Sequence, residues 1–314
     1  MTVLPSDLTE RLQPWTSPDR LAALLGFRPD DAADTAILVE EVLADPEASA
    51  RVAGLVSGLR AGVGRFADGG DSVFAGPEGT DHHSRALGHR VQGGLALLAL
   101  TATAPDVVAF SAGHGIEEEQ SWRSLSDLGQ QVWVHRRTYG EFGLHTQGWL
   151  TTAWSGALHW VGRLQANLIP MTDDDGGRLP GRWQLSVHIP ESGPLTPAAV
   201  DESLAGLEEL FARHHPGYPA ERLHCSSWLL DPTLARELPG SNLAAFQQRW
   251  QLTGRSSPGD ADALFFTFRT RGDVDLDRLP TDTRLQRLVV GRIRDGSGWV
   301  TAEGTAPLPS GGAR

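Results

Sequence analysis

Cysteine is almost absent from this 314-residue sequence, which contains Cys225 and no other. No internal disulfide can form, and a CxxC metal or redox motif is excluded. A single thiol fits a reducing compartment. A secretion signal is lacking as well, because residues 1–15 contain acids and prolines but no apolar core segment. We therefore expect a cytoplasmic protein.

Long apolar runs and positive charge are also scarce. The most apolar run, LALLALTATAP, is too short to cross a bilayer and meets Pro105. Lysine and arginine number 27 against 39 aspartates and glutamates, which gives a formal net charge of −12. Such a surface repels phosphate backbones and anionic membranes, so we expect neither nucleic acid nor membrane as a partner, although solubility alone explains the acidity. Hydrophobic residues make up 40%, which is enough for a sizeable core.

The first half of the chain has helical periodicity. Apolar residues at three- and four-residue spacing predict helices over most of residues 1–60, and Ser17 with Pro18 marks the start of one. Glycine and aspartate predict an exposed loop at 62–88. Further helices are predicted at 90–115 with a break near Pro105, at 116–140 as one long helix, and at 145–156.

Beyond residue 156 the periodicity changes. Alternation predicts a strand at 157–169, DDDGG predicts a turn at 173–177, and a strand at 182–190 completes a hairpin. The later predicted elements are a helix from Pro197 to about Arg213, a strand at 222–230, a helix over 231–250, a β run at 262–270, and a helix followed by a short strand within 281–304.

The predicted boundary between two domains lies near residues 110–115, where SAGHG precedes the long helix. It gives a helical N-terminal domain over 1–112 and a second domain over 113–306. The C-terminal PLPSGGAR, residues 307–314, is predicted to be a disordered tail.

One predicted strand-to-helix junction contains several glycine and proline residues, within LSVHIPESGPLTPAAVDESL at residues 185–204. Thr196 before Pro197 is a helix start, since a hydroxyl caps the helix and proline suits its first position. The apolar face that would dock this helix on a sheet is formed by Val200, Leu204, Leu207 and Phe211. The open amides of the helix then point back at the Ser192–Leu195 loop, where Gly193 permits close approach of a ligand. The loop is either an anion site or an ordinary strand-to-helix turn.

Several runs, taken in order, resemble a known family. They are DLGQQVWVHRRTYGEFGL, GRLQANL, VHIPESGPLTPAAVDESL, CSSWLLDP and PGSNLAAFQQRW. Together they resemble the bacterial acyltransferases that join a helical N-acyltransferase N-terminal domain to a GNAT-like C-terminal domain. The resemblance covers roughly residues 108–300 and is looser over 1–107. It implies an α+β protein: a helical N-terminal domain followed by a GNAT-like mixed sheet flanked by helices.

The resemblance also implies where a co-substrate would bind. In GNAT enzymes acyl-CoA lies between two parallel, splayed strands, which here would be 185–189 and 223–229. The implied contacts with CoA are Val187, Ile189, Ser192, Gly193, Leu195, Thr196 and, next to the helix cap Ser241, Asn242. The cradle works through backbone dipoles and needs no basic residues. The sequence departs from the usual GNAT motif, because Pro194 and Pro197 each remove an amide donor.

An amine must lose a proton before it attacks a thioester, because a free alkylamine has a pKa near ~10.4. His188, on the first of these strands, is our candidate base, with Glu191 as the second choice. His188 fits equally well as a packed histidine bonded to backbone. A backbone amide near His188 or Ile189 would stabilise the oxyanion.

The leaving thiolate needs an acid, for which Cys225, Ser226 and Ser227 are candidates. Alternation places Cys225 and Ser227 on one face of their strand and Ser226 on the other, so one set alone can face the ligand. Cys225 could instead carry the acyl group with His224 or His188 as its base, or it is a buried core thiol.

Other polar and aromatic clusters have simpler interpretations. Asp81, His82 and His83 lie in the predicted loop without a third ligand on a rigid element, so we expect no metal there. Arg136 and Arg137 fit the dipole at a helix end, or would meet an acidic substrate. Four tryptophans are core residues or the walls of an acceptor groove: Trp133, Trp149, Trp154 and Trp160.

The predicted function, from the resemblance, is transfer of an acyl group from acyl-CoA to an amine of a small molecule or peptide by direct attack. One alternative is a non-catalytic CoA- or metabolite-binding module that kept the GNAT-like fold. Another is an interaction protein that uses its tryptophan-rich helices. The oligomeric state stays open between a monomer and a homodimer.

Overall fold

The computed structural model describes residues 5–66, 73–74, 79–173 and 176–310. The chain divides into two compact units, Met1–Trp160 and Val161–Arg314. Parts of the predicted 62–88 loop, of the 173–177 turn and of the 307–314 tail lie outside the described residues.

The first unit is helical with one short hairpin. Its elements are α1 (Pro5–Leu12), α2 (Pro18–Leu25), α3 (Pro29–Ala44), α4 (Pro46–Gly62), β1 (His82–Ser84), β2 (His89–Val91), α5 (Gly94–Gly113), α6 (Glu118–Leu125), α7 (Asp127–Tyr139) and α8 (Gln147–Trp154). The start of α2 is confirmed, because the Ser17 hydroxyl accepts from the Arg20 amide at 3.4 Å and Pro18 takes the first position. The β1–β2 hairpin occupies part of the segment predicted to be a loop.

The predicted break at Pro105 is wrong, because α5 runs through it over 20 residues. A proline inside a helix costs about 3 kcal/mol, which the burial of a row of apolar side chains offsets. Arg11 donates to the Ala102 carbonyl oxygen at 3.3 Å and pairs with Asp106 at 2.6 Å, which satisfies polar groups beside the proline. The helix is long and apolar enough to cross a membrane, but 67% of its apolar window is buried, as in a core helix.

The long helix predicted at 116–140 is two helices, α6 and α7, which meet at Ser126. Tertiary contact explains the break. A Cβ on Gly129 would lie 2.4 Å from the Phe27 amide nitrogen, so the start of α7 is pressed against the end of α2. A straight helix would not bring these two backbones together, and the sequence carries no local sign of the contact.

The division between the units lies later in the chain than the expected boundary after residue 112. Helices α6, α7 and α8 belong to the first unit and share its core. In α8, for example, the Trp154 indole donates from Nε1 to the Leu100 carbonyl oxygen of α5 at 2.8 Å. Residues 113–160 thus complete the helical unit rather than begin the second one.

The second unit is built on a mixed sheet flanked by helices. Its elements are β3 (Leu158–Val161, across the division), β4 (Leu164–Thr172), β5 (Arg178–His188), α9 (Pro197–His214), β6 (Ala220–Ser227), α10 (Pro232–Glu237), α11 (Asn242–Gln247), β7 (Gln251–Pro258), α12 (Asp260–Phe268), α13 (Arg284–Arg294) and β8 (Val300–Ala306). The six strands follow the order β3-β4-β5-β6-β8-β7. Strands β5 and β6 are parallel, whereas β4–β5, β6–β8 and β7–β8 are antiparallel. The α+β fold and the β4–β5 hairpin are therefore confirmed.

The largest error is the β run predicted at 262–270, which is helix α12. Its aromatic residues favour strands, but polar contacts of the first turn fix the helix. Asp260 accepts from the Trp299 amide at 2.6 Å, and Asp262 accepts from the Thr301 hydroxyl at 2.8 Å.

Smaller differences concern the lengths of elements. The run 157–169 forms two strands, β3 and β4, and 231–250 holds two short helices, α10 and α11. The strand predicted at 222–230 ends at Ser227 and continues as a 3₁₀ turn. Strand β7 was not predicted, because its exposed sequence QLTGRSSP lacks apolar alternation.

Candidate functional site

The parallel strands β5 and β6 separate at one end. Their register pairs Leu185 with Leu223 and Ser186 with His224, and no later pair joins the two strands. Past this point β5 is held by β4, through His188 opposite Gln165. The end of β6 is held by β8 on its other side. The two strand ends are therefore not paired with each other, as the resemblance implied for 185–189 and 223–229, and we call the region between them the gap.

The loop after β5 has the backbone of a ligand cradle. Gly193 has φ of 126°, which side chains other than glycine rarely adopt, and a Cβ there would meet nothing within 4 Å. Thr196 caps α9 by accepting from the Ala199 amide at 3.3 Å. Within the described part of the chain, the amides of Gly193, Leu195 and Thr196 have no hydrogen-bond partner. These three amides and the space beside Gly193 suit an anion.

Ser192 contributes less than predicted. Its amide donates to the Pro190 carbonyl oxygen at 2.9 Å, inside the loop, and is not open to a ligand. Its hydroxyl accepts from Arg163 at 3.4 Å, a long contact that leaves the Oγ atom able to bind elsewhere.

Arginines from distant parts of the second unit hold this loop. Arg163 donates to the carbonyl oxygens of Pro190 at 2.5 Å and Gly193 at 2.9 Å. Arg269 pairs with Glu191, the second-choice base, so this carboxylate is already engaged in an ion pair. No pattern in the sequence indicates these contacts, because both arginines lie far from the loop along the chain.

A third arginine, Arg249, ties α11 to the start of α9. It donates to the Pro197 carbonyl oxygen at 3.3 Å and pairs with Asp201. Asn242, the predicted contact with the CoA arm, is the first residue of α11 and is exposed, next to the cap Ser241. Its role stays a prediction.

His188 ends β5 at the mouth of the gap. Its Nε2 atom lies 2.6 Å from Oδ1 of Asn167 on β4. Burial, and then the charge of His224, lower the pKa of His188 to about 3, so the ring is neutral at ordinary pH. This contact is with a side chain, whereas the interpretation as a packed histidine predicts a bond to backbone. Val187 is buried on the opposite face of β5, and Ile189 follows the strand.

His224 lies on the same face of the sheet, beside His188. Its Nδ1 atom is 3.3 Å from the Ser186 hydroxyl, and its Nε2 is 4.0 Å from Glu303 of β8. Burial lowers the pKa of His224, Glu303 opposes the shift, and Arg222 adds to it. This face of β4, β5 and β6 therefore carries polar groups across the point where the strands part.

The three candidate acids on β6 differ in burial and in their hydrogen bonds. Cys225 is fully buried, and burial raises the pKa of its thiol to about 12, so it matches the core-thiol interpretation and not a nucleophile or an acid. Ser227 accepts from the Leu229 amide at 3.1 Å as the cap of the 3₁₀ turn. Ser226 is exposed and shares the face of His224, so it is the candidate that we retain.

The remaining predicted residues have structural roles. Arg136 pairs with Asp31 at 2.6 Å and with Asp34 at 2.5 Å, and Arg137 stacks on Trp133. Trp154 and Trp160 are buried, and Trp149 donates to Asp127 at 3.0 Å.

Three residues considered above as metal ligands are Asp81, His82 and His83. Asp81 accepts from the Gly93 amide at 2.7 Å and pairs with Arg90 at 2.8 Å, while both histidines belong to β1. Across the described ranges, no three His, Cys, Asp or Glu side chains come together as metal ligands do.

Comparison with known proteins follows the division of the chain. Residues 17–156 match a family model described as an N-acyltransferase N-terminal domain. Residues 158–306 match one described as a GNAT-like C-terminal domain. No curated protein matches the chain.

Solved structures of acyltransferases are similar over nearly the whole chain. One, in complex with CoA and 10C-teicoplanin, is 32% identical, with 93% of this chain and 88% of that chain covered and a TM-score of 0.74. A complex with decanoyl-CoA and teicoplanin is 31% identical, with the same 93% and 88% coverage and a TM-score of 0.74. A mutant in complex with octanoyl-CoA is 30% identical, with 98% and 100% covered and a TM-score of 0.74.

Proposed function

The chain belongs to the acyltransferase family in which an N-acyltransferase N-terminal domain precedes a GNAT-like C-terminal domain, and from this premise we propose that it transfers an acyl group from acyl-CoA to an amine. The observation that carries the proposal is the gap between β5 and β6 together with the open amides of the loop that follows β5. The strand gap would receive the pantetheine arm and thioester, and the amides would hold the pyrophosphate.

The chemistry is direct attack. The amine nitrogen of the acceptor attacks the thioester carbonyl carbon, the carbon–sulfur bond breaks, and CoA leaves as a thiolate. His188 accepts a proton from the attacking amine, and Ser226 is the candidate that returns one to the thiolate. A main-chain amide at the end of β5 stabilises the oxyanion. Because the pKa of His188 is low, positioning would supply more of the rate than basicity.

The similar structures support a proposal for the acceptor and the acyl chain. Two of these contain teicoplanin or its 10C derivative, and others contain octanoyl- or decanoyl-CoA. We therefore propose a medium-chain acyl-CoA and an amine on a glycopeptide-type small molecule. A cytoplasmic location belongs to the same proposal.

A second function deserves a test, a binding module that holds CoA without turnover. The observation in its favour is the buried, weakly basic His188. The two functions differ in one measurable step, the release of free CoA thiol.

The experiment measures thiol release from octanoyl- and decanoyl-CoA with teicoplanin or simple alkylamines as acceptors, beside thermal shifts with each thioester. Acyl transfer predicts both a shift and acceptor-dependent release, and His188→Gln should lower kcat about 100-fold while the shift persists. A shift without release supports the binding module. The acyl-CoA proposal fails when no thioester stabilises the protein.

A further inference from the structure

The contact between His188 and Asn167 constrains which nitrogen of the imidazole carries the proton. Oδ1 of Asn167 accepts hydrogen bonds and cannot donate them, so Nε2 of His188, 2.6 Å away, must bear the hydrogen. A neutral imidazole has one N–H group. The lone pair of His188 therefore lies on Nδ1.

The orientation of Asn167 is itself fixed. Its Nδ2 atom donates to the Leu168 carbonyl oxygen at 3.3 Å, and the residue is buried. Turning the amide over would break this bond and present a donor to Nε2 of His188. The proton of His188 would then have to move to Nδ1. The side-chain orientation of one asparagine on β4 thus selects the tautomer of a histidine on β5.

The charged and titratable groups near this pair lie on β6 and β8. His224 is the neighbour whose charge acts on His188, and Arg222 and Glu303 act on His224. Gln165 lies opposite His188 in the register, but Nε2 of His188 donates its hydrogen bond to Asn167. Asn167 is therefore the neutral group through which the protein sets the proton of His188.

We propose that Asn167 is a positioning residue, which holds His188 in the Nε2–H tautomer so that Nδ1 takes the proton of the attacking amine. The inference rests on the proposed acyl transfer for its effect on rate. Its structural part, the tautomer, holds whether or not the protein turns over a substrate. The two parts can therefore fail separately.

The first test is nuclear magnetic resonance of protein labelled with ¹⁵N in histidine, with the His188 signals assigned by His188→Gln. We expect the Nε2–H tautomer in the wild-type protein. Asn167→Leu, which has no oxygen, should lose this preference, and Asn167→Asp should keep it. A wild-type Nδ1–H tautomer, or an unchanged tautomer in Asn167→Leu, overturns the proposal.

The second test is kinetic, with decanoyl-CoA and an amine acceptor. Asn167→Leu should lower kcat about 100-fold with little change in KM for decanoyl-CoA. Asn167→Asp should recover much of the rate and move the acidic limb of the pH–rate profile to higher pH, because a carboxylate favours the imidazolium. An Asn167→Leu enzyme with wild-type kcat, or an Asn167→Asp profile that does not move, contradicts the proposal.

The matched control is Gln165→Leu, which removes another buried amide from the same face of the same strand. It should change kcat by no more than about threefold. Thermal unfolding, with and without decanoyl-CoA, shows whether each variant is folded. If Asn167→Leu does not fold, Asn167→Asp still tests the proposal. A wild-type protein that binds decanoyl-CoA but releases no thiol overturns the proposed function, while the resonance experiment still decides the tautomer.

Discussion

The two units bury polar side chains in different ways. In the helical unit, buried carboxylates are bound by side chains: Asp31 pairs with Arg136 at 2.6 Å, and Asp127 accepts from Trp149 at 3.0 Å. In the sheet unit, the buried Asp231 accepts from the backbone amides of Thr233 and Val300 instead. The sheet unit buries neutral amides and hydroxyls along one face of β4 and β5. They are Gln165, Asn167, Gln184 and Ser186.

The buried polar groups of the two units have different physical effects. A buried carboxylate that pairs with a side chain of another helix fixes how the helices meet, and losing the basic partner leaves an uncompensated charge. Neutral polar groups at the end of a sheet hold hydrogen-bond donors and acceptors in place at lower desolvation cost. The sheet unit also opens its central strands beside these groups.

The largest expected effect comes from removing the buried ion pair of the helical unit. Arg136→Ala removes the partner of Asp31, whose side chain is only 1% exposed, and should lower the free energy of unfolding by about 3 kcal/mol because the carboxylate loses its compensating charge. Urea unfolding followed by circular dichroism measures it. The control is Glu209→Ala, which removes an exposed pair with Arg213 and should change stability by less than about 0.5 kcal/mol. Equal effects would show that burial of Asp31 does not matter.

The next effect concerns the cradle of the sheet unit. Gly193→Val forces a side chain onto a φ of 126° and fills the space beside the open amides. A ligand at a hundredfold excess over its Kd stabilises the native state by about 2.7 kcal/mol, and Gly193→Val should lose most of this stabilisation by decanoyl-CoA.

The control is Gly181→Val, at a glycine with φ of 70° and open surroundings on β5, the strand before the loop. Both variants should lose some intrinsic stability, because both positions favour glycine. Stabilisation by decanoyl-CoA should persist in Gly181→Val and should be lost in Gly193→Val. A full shift in Gly193→Val would mean that the ligand does not bind at this loop.

The smallest effect, when it is expressed per pH unit, tests the comparison through the pH dependence of stability. Burial lowers the pKa of His135 in the helical unit to about 3, helped by His145 and Arg136, and the pKa of His188 in the sheet unit also falls to about 3. Unfolding returns both to about 6.5, so the unfolded state binds more protons between these values. Stability is therefore full above about pH 6.5 and is lost as the pH falls towards 3, by up to ~1.4 kcal/mol per pH unit for each histidine.

Thermal unfolding between pH 7 and 4.5 measures this slope. His135→Gln and His188→Gln should each flatten it, and the double variant should flatten it most. The exposed His83 offers the control, since His83→Gln should leave the slope unchanged. A slope that neither His135→Gln nor His188→Gln alters would show that other groups cause the acid sensitivity.

Local chemistry in the sequence predicted much of the fold. Thr196 and Pro197 start α9 where the sequence placed it, because capping and the fixed φ of proline act within one turn. The same local rules were wrong at Pro105 and at Phe265. In α5 the burial of apolar side chains outweighs one proline, and in α12 contacts from Asp260 and Asp262 outweigh the strand preference of the aromatic residues.

The candidate site divides in the same way. The sequence and its resemblance indicated His188 and the loop around Gly193, since both lie in one continuous segment. Asn167, Arg163 and Arg269 were missed, because they come from other elements and their types alone indicate nothing. The role of Cys225 could also not be decided from alternation, which gives two faces but not which of them is buried.

Alternation, capping and glycine placement by themselves determined the helical half, the β4–β5 hairpin and the strand-to-helix loop, since each depends on neighbours along the chain. The tertiary structure alone decided where β5 parts from β6, which arginines hold the loop, and that Asn167 reaches His188. These features depend on distances between separate strands and helices, which packing of the whole sheet sets and no single segment encodes.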